Sequence, residues 1–234
     1  MADKNEILQQ IVDILETPFL RHEFWYKKKG IFERIEPNTG SKQQYRITLS
    51  KAKGFFRLHL FLDLNNAEML KEYDSLLKEV RVNSYVGFPE EFREKCIKEL
   101  RKIKYHSLIG LTDWRELRNK NETVEDFNNR FILWFCAFDE LNELNTYKSP
   151  TKVLTPPLEK QLMTSIDLCL KFFKQTENIG YIIEKTFYQG LFLLKQQGKK
   201  NELQNKYNAY IEDARKYKIN TNDEECFYKL LIER

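Results

Sequence analysis

Apolar residues Ile7, Leu8, Ile11, Val12 and Leu15 recur at helical spacing, which predicts one amphipathic helix, and Pro18 predicts its end. The period then shortens. From residue 23 to residue 64, aromatic and β-branched residues alternate with polar ones, and turn residues separate the runs. Four strands fit this pattern: Phe24 to Lys28, Ile31 to Ile35, about Gln43 to Leu49, and Phe55 to Leu64. Lys29-Gly30, Pro37-Asn38-Thr39-Gly40 and Lys51 to Gly54 supply the turns of an antiparallel meander. On the fourth strand Phe56, Leu58, Leu60, Leu62 and Leu64 share one side, while Phe55, Arg57, His59, Phe61 and Asp63 share the other. Tyr45, Ile47 and Leu49 on the third strand continue the apolar side, opposite Gln44, Arg46 and Thr48. The apolar face therefore needs helices over it.

Helical spacing returns beyond the meander. Ala67, Leu70, Tyr73, Leu76, Leu77 and Val80 form one stripe, and Phe92, Cys96, Leu100 and Ile103 form a second after Pro89. Thr123 and Asp126 resemble a helix cap, and the aromatic stripe of Phe127, Phe131, Trp134, Phe135 and Phe138 predicts a central core helix. Pro150, Pro156 and Pro157 interrupt both periods. They divide the chain into an α+β domain over 1–146, a linker over 147–157 and a helical part over 158–234. In that last part Leu158 to Phe173, Ile183 to Leu194 with Gly198 as its stop, Leu203 to Tyr217, and Phe227 to Leu231 read as successive helices. The fold class expected is α+β, a four-stranded antiparallel meander covered by helices and followed by a helical bundle or helical-hairpin layer.

Composition agrees with a helix-rich globular chain. Eight Gly and six Pro among 234 residues is about half the average usage, and 41% hydrophobic with 32% charged residues is ordinary for a folded protein. The net charge of +4 is small and the two signs interleave, which weighs against a broad duplex-binding surface. Cys96, Cys136, Cys169 and Cys226 lie at least 33 positions apart without a C-x-x-C pair, and each sits in an apolar-periodic stretch, so inert core thiols are expected. The first residues lack a secretory h-region and no apolar run reaches the ~18 residues of a membrane span, so the expected compartment is the cytoplasm.

Motifs of catalysis are missing from the sequence: no phosphate loop, no dinucleotide fingerprint, no H-E-x-x-H and no nucleophile elbow. His22, His59 and His106 have no metal-ligand spacing, so neither metal, cofactor nor catalytic residue is assigned. Two groups remain as candidate binding features. Arg57, His59 and Asp63, joined across the sheet by Arg46 if the strands pair as a hairpin, mix a guanidinium, an imidazole and a carboxylate on a rigid platform. Such a face can hold an anion, do acid-base work or meet a partner, and its simpler reading is cross-strand charge pairing. Lys27, Lys28 and Lys29, with Lys51 and Lys53 at the same end of the meander, form a basic patch beside Trp25, Tyr26 and Phe55. Lysines with aromatics suit single-stranded nucleic acid, while lysines at hairpin turns also serve as solvated ends and edge protection.

The run Phe24-Trp25-Tyr26-Lys27-Lys28-Lys29-Gly30-Ile31-Phe32-Glu33-Arg34, preceded by a short helix and followed by Gln44-Tyr45-Arg46-Ile47, resembles a bacterial family classified as a domain of unknown function, the one numbered 4304. Trp114 and the helix from Thr123 correspond to later family features, so the resemblance covers about residues 6 to 145. The chain departs from the family at His22-Glu23-Phe24, where a Gly-Phe pair is expected, and in its long helical C-terminus. Some relatives are regarded as candidate immunity proteins of toxin systems. The resemblance implies a binding role and transfers no catalytic residue. With no catalytic motif, secretory segment or membrane span in the sequence, the expectation is a noncatalytic intracellular module that recognises another protein, an immunity-type inhibitor of a toxin, with no membrane role; the alternative is nucleic-acid or nucleotide binding or processing through the Lys27 to Lys29 hairpin and the polar face of the sheet.

Overall fold

The computed structural model of the chain describes residues 4–52, 55–65, 67–102, 109–111, 121–123, 125–126, 135–137 and 158–234. In chain order its elements are α1 (Lys4–Leu20), β1 (Trp25–Lys28), β2 (Ile31–Ile35), β3 (Lys42–Ala52), β4 (Phe55–Asn65), α2 (Ala67–Ser84), α3 (Glu90–Lys102), β5 (Ile109–Leu111), β6 (Phe135–Ala137), α4 (Leu158–Thr176), α5 (Ile179–Lys185), α6 (Tyr188–Gln196), α7 (Lys200–Lys216) and α8 (Asn222–Glu233). The α+β meander is present, with sheet order β1-β2-β3-β4-β5 and β6 also pairing with β4. No helix among the described residues is long and apolar enough to cross a membrane.

The chain forms two compact units, each made of two stretches: 1–64 with 110–175, and 65–109 with 176–234. The 147–157 segment, expected as a linker, lies outside the described residues, and α4 beyond it belongs with the sheet.

In the first unit α1 buries Ile7, Ile11, Val12, Leu15 and Phe19. Pro18 was expected to end this helix, but the helix runs through it to Leu20. A proline in the last turn forfeits one backbone bond just where the ladder is ending. Closure comes at Glu23 and Phe24: the Phe24 N–H donates to Phe19 O at 3.1 Å and the Glu23 N–H to Leu20 O at 3.1 Å, with Glu23 at φ 62°. This double bond with a left-handed residue is a Schellman motif, and the Phe19 and Phe24 rings, 5.3 Å apart, supply its hydrophobic contact.

Strand pairing follows the turn chemistry. Lys29 and Gly30, at φ 51° and 74°, make the two-residue turn that matches the twist of a hairpin, as read from the sequence. Tyr26 faces Phe32 and Lys28 faces Ile31, so Lys27 is an extra residue bulging from β1. Gly30 is also constrained by a neighbour, since a Cβ there would sit 2.8 Å from the Ile47 carbonyl oxygen, to which β3 is tied by an Ile47 N–H to Gly30 O bond of 2.8 Å. Between β2 and β3 the Glu36 carboxylate accepts from the Thr39 hydroxyl at 2.7 Å, the Asn38 N–H at 3.0 Å, the Thr39 N–H at 2.6 Å and the Asn38 amide at 2.8 Å. The Thr39 hydroxyl above all, then the Asn38 N–H, hold this carboxyl below the usual glutamate range.

One face of the sheet is the core. Phe32, Tyr45, Ile47, Leu49, Leu58, Leu60, Leu62 and Leu64 are all buried on it, and for β3 and β4 this is what the alternation predicted. α1 and α4 meet this face: Phe19 lies 4.7 Å from Phe32 and 4.8 Å from Tyr45, and Phe173 of α4 lies 5.8 Å from Phe24. The buried Tyr45 hydroxyl is 2.7 Å from Ser165 Oγ, which itself donates to Leu162 O at 2.6 Å, so the tyrosine donates and the serine accepts. Burial pushes the Tyr45 phenol well above its ordinary range and does the same to the Cys169 thiol.

The aromatic stripe beyond Thr123 is corrected in part. Thr123 does cap, its Oγ1 accepting the Asp126 N–H at 3.0 Å, but Phe135–Ala137 is a strand, antiparallel to Phe55–Arg57, rather than the middle of a helix. The other stripe residues lie outside the described residues.

The second unit is helical. Tyr73, Leu76 and Val80 of α2, Leu191, Phe192 and Leu194 of α6, and Phe227 and Leu231 of α8 are buried, with Tyr73 5.6 Å from Phe192 and Tyr188 4.9 Å from Phe227. The single helix expected over Ile183 to Leu194 is two helices. Thr186 is extended, at φ −124° and ψ 147°, and its hydroxyl donates to Ile182 O at 2.7 Å, ending α5 and burying Ile182 rather than Ile183. Of the four thiols expected in the core, Cys169 is buried, Cys96 and Cys226 are half-exposed, and Cys136 lies in β6.

Candidate recognition face

The second face of the sheet follows from the same alternation. In β3 the residues between Tyr45, Ile47 and Leu49 are Gln44, Arg46, Thr48 and Ser50, and in β4 those between the leucines are His59, Phe61 and Asp63. Arg46 pairs with Asp63 and Ser50 with His59, so positions rise on one strand as they fall on the other, the antiparallel register expected for the hairpin. β2 adds its own outward residues: Ile31 stands opposite Arg46, Glu33 opposite Gln44 and Ile35 opposite Lys42. β1 adds Trp25, opposite Glu33.

Nearly every charge whose side chain is placed on this face is engaged within it. The Arg46 guanidinium donates through Nε at 3.0 Å and NH2 at 2.9 Å to one oxygen of Asp63, whose side chain is only 7% exposed, and it lies 4.6 Å above the Phe61 ring. The cation is thus shared between a carboxylate and a π face. Phe61 in turn stacks with His59 at 6.2 Å, and His59 Nε2 is 3.2 Å from Ser50 Oγ. Glu33 accepts from Gln44 at 2.7 Å and pairs with Lys42 at 3.4 Å.

Of the predicted group, Arg46 and Asp63 are brought together and His59 joins them through Phe61. His59 and Asp63 are not a pair: four residues along one strand separate them by about 13 Å at 3.3 Å per residue, and each has a different partner. Arg57 is placed by its backbone, opposite Phe135 of β6. Lys27, Lys28 and Lys29 are exposed at the bulge and turn of the first hairpin. Lys51 is placed by its backbone in β3, and Lys53 lies outside the described residues.

Two residues that the sequence reading did not assign to this face stand out on it. Trp25 is 59% exposed and Ile35 is 55% exposed. For Ile35 the signal was present, two residues from Glu33 on its own strand; for Trp25 it was hidden, because the bulge at Lys27 shifts the register of β1 by one. Trp25 was read only as a neighbour of the lysines. Trp25 and Ile35 are both large apolar side chains left in water on the face that carries the paired charges. No family model, curated protein or solved structure matches this chain.

Proposed function

We propose that the protein is a noncatalytic, cytoplasmic protein-recognition module, an immunity-type inhibitor of a bacterial toxin, and that the outer face of β1 to β4 meets the partner. Membership in the bacterial family named above is part of this proposal. The observation that supports it is the outer face itself, where Trp25 and Ile35 are exposed beside an Arg46–Asp63–Phe61–His59 chain whose polar groups bond one another. Interfaces concentrate affinity in aromatic anchors and keep charge at satisfied or rim positions. An inhibitor needs that complementarity and no reacting group.

A second reading has its own observation. Lys27, Lys28 and Lys29 are exposed side by side next to Trp25 and make no ion pair with the described residues, an arrangement that fits single-stranded nucleic acid.

Affinity capture after nuclease treatment, at low and at moderate salt, separates the two. The recognition reading expects one stoichiometric protein that survives moderate salt, is lost with Trp25→Ala plus Ile35→Asp, and arrests growth when expressed without this chain. Nucleic acid that is released as salt rises and is lost when Lys27, Lys28 and Lys29 become Gln, with no protein partner, would overturn it.

A further inference from the structure

Phe92, Cys96 and Leu100 of α3 recur every fourth residue and therefore share one face of the helix. A stripe of this kind ordinarily packs. Yet only Leu100 is buried, while Phe92 is 48% exposed and Cys96 is half-exposed. The turn before the helix enlarges the apolar surface: the Phe88 ring lies 5.3 Å from Phe92, with Phe88 and Val86 also exposed. Tyr85, Phe92, Cys96 and Leu100 line an open groove of about 500 Å³ whose rim carries Lys95, Glu99 and Lys102. Neighbouring aromatic side chains left in water mark a docking surface.

The charge pattern of the helix selects the occupant. α3 opens on Glu90 and Glu91 and closes on Arg101 and Lys102. Along the flank that includes the groove rim, Glu91, Lys95, Glu99 and Lys102 alternate in sign at spacings of four, four and three. Read backwards, this pattern is its own complement. Two such helices laid antiparallel, with the two-fold axis near Ile97, set Lys95 against the second copy's Glu99 and Glu91 against the second copy's Lys102. The same placement brings Phe92 beside the second copy's Leu100, sets the two Cys96 residues near the axis and opposes the helix dipoles. A parallel pair in register sets each charge against its like. At 13 residues the helix offers a contact about 20 Å long.

We propose that a second copy of this chain docks on α3 in an antiparallel two-helix contact centred between Lys95 and Glu99. The residues of this contact all belong to the second unit.

Sedimentation equilibrium of the full chain over a concentration series tests it. The wild type is expected to dimerise. Lys95→Glu alone and Glu99→Lys alone are each expected to weaken dimerisation by about tenfold or more, because each creates two like-charge contacts. An equal mixture of the two variants is expected to recover the dimer, since every cross-copy contact is then opposite in charge. Within one copy Glu99 pairs with Lys102 at 2.5 Å, with both side chains well exposed; Glu99→Lys also removes that pair, which mixing does not mend, so recovery reports contact between copies. Phe92→Asp is expected to abolish association, and a short bis-maleimide to join two wild-type chains, an adduct lost with Cys96→Ser and kept with Cys226→Ser. A chain that stays monomeric up to about 100 µM overturns the proposal. So does a dimer indifferent to the charge variants, or a mixture that fails to recover.

Discussion

The two faces of one sheet do opposite things with the same alternation. On the inner face, ring stacks on Phe32 and Tyr45 and the buried Tyr45–Ser165 hydroxyl pair close the core against α1 and α4. On the outer face, Arg46, Asp63, Phe61 and His59 bond one another in partial contact with solvent, and Trp25 and Ile35 stay exposed. Burial of apolar area drives folding, and the inner face supplies most of it. Exposed positions of the outer face such as Trp25 and Ile35 can change without unfolding the sheet, whereas Asp63, 7% exposed, depends on its pairing with Arg46. A period of two thus lets a single strand supply a buried side and an exposed one.

That contrast can be strained from either side, and the inner face should give the largest effects. Phe32→Ala removes a fully buried ring between Phe19 and Tyr26 and is expected to cost about 3–5 kcal/mol in urea unfolding. Gly30→Ala forces a left-handed residue against the Ile47 carbonyl and is expected to cost about 1–3 kcal/mol, read in the same way. Tyr45→Phe keeps the ring and loses the bond to Ser165, for about 1 kcal/mol.

A smaller effect is expected from Glu36 and should appear in the pH dependence of stability. Its folded value lies below the ordinary 4.5, so its stabilisation is fully present above 4.5 and fades as pH falls through the lower folded value. Glu36→Gln should flatten that part of the acid unfolding curve. Smallest of all, Trp25→Ala should shift stability by no more than about 0.5 kcal/mol, since the ring is mostly in water already. A large loss there would make Trp25 part of the core and erase the distinction between the faces.

The sequence made the inner face legible because strand alternation is local: the leucines of β4 and Tyr45, Ile47 and Leu49 of β3 are buried as their spacing requires. Lys29-Gly30 was readable because few dipeptides adopt two positive φ values in succession. The bulge at Lys27 left no such trace, since any residue can be the extra one. Pro18 and Thr186 misled in opposite directions. A helix tolerates proline where its ladder is ending, whereas a threonine hydroxyl bonded back to Ile182 stops one with no breaker in the sequence.

The outer face was legible in its β3 and β4 members and not in those of β1 and β2 or in its wiring. Arg46 was expected to reach β4, and it does. That its guanidinium would take both Asp63 and the Phe61 ring, leaving His59 to Ser50, depends on register and burial across two strands. Residue spacing along either strand does not encode those distances.

Titration of the captured protein partner against wild type and against the Trp25→Ala, Ile35→Asp variant, with urea midpoints measured on the same samples, tests the central claim most directly. The account predicts that binding disappears while the urea midpoint stays where it was. Undiminished binding by the variant, or binding lost only together with the fold, would contradict it.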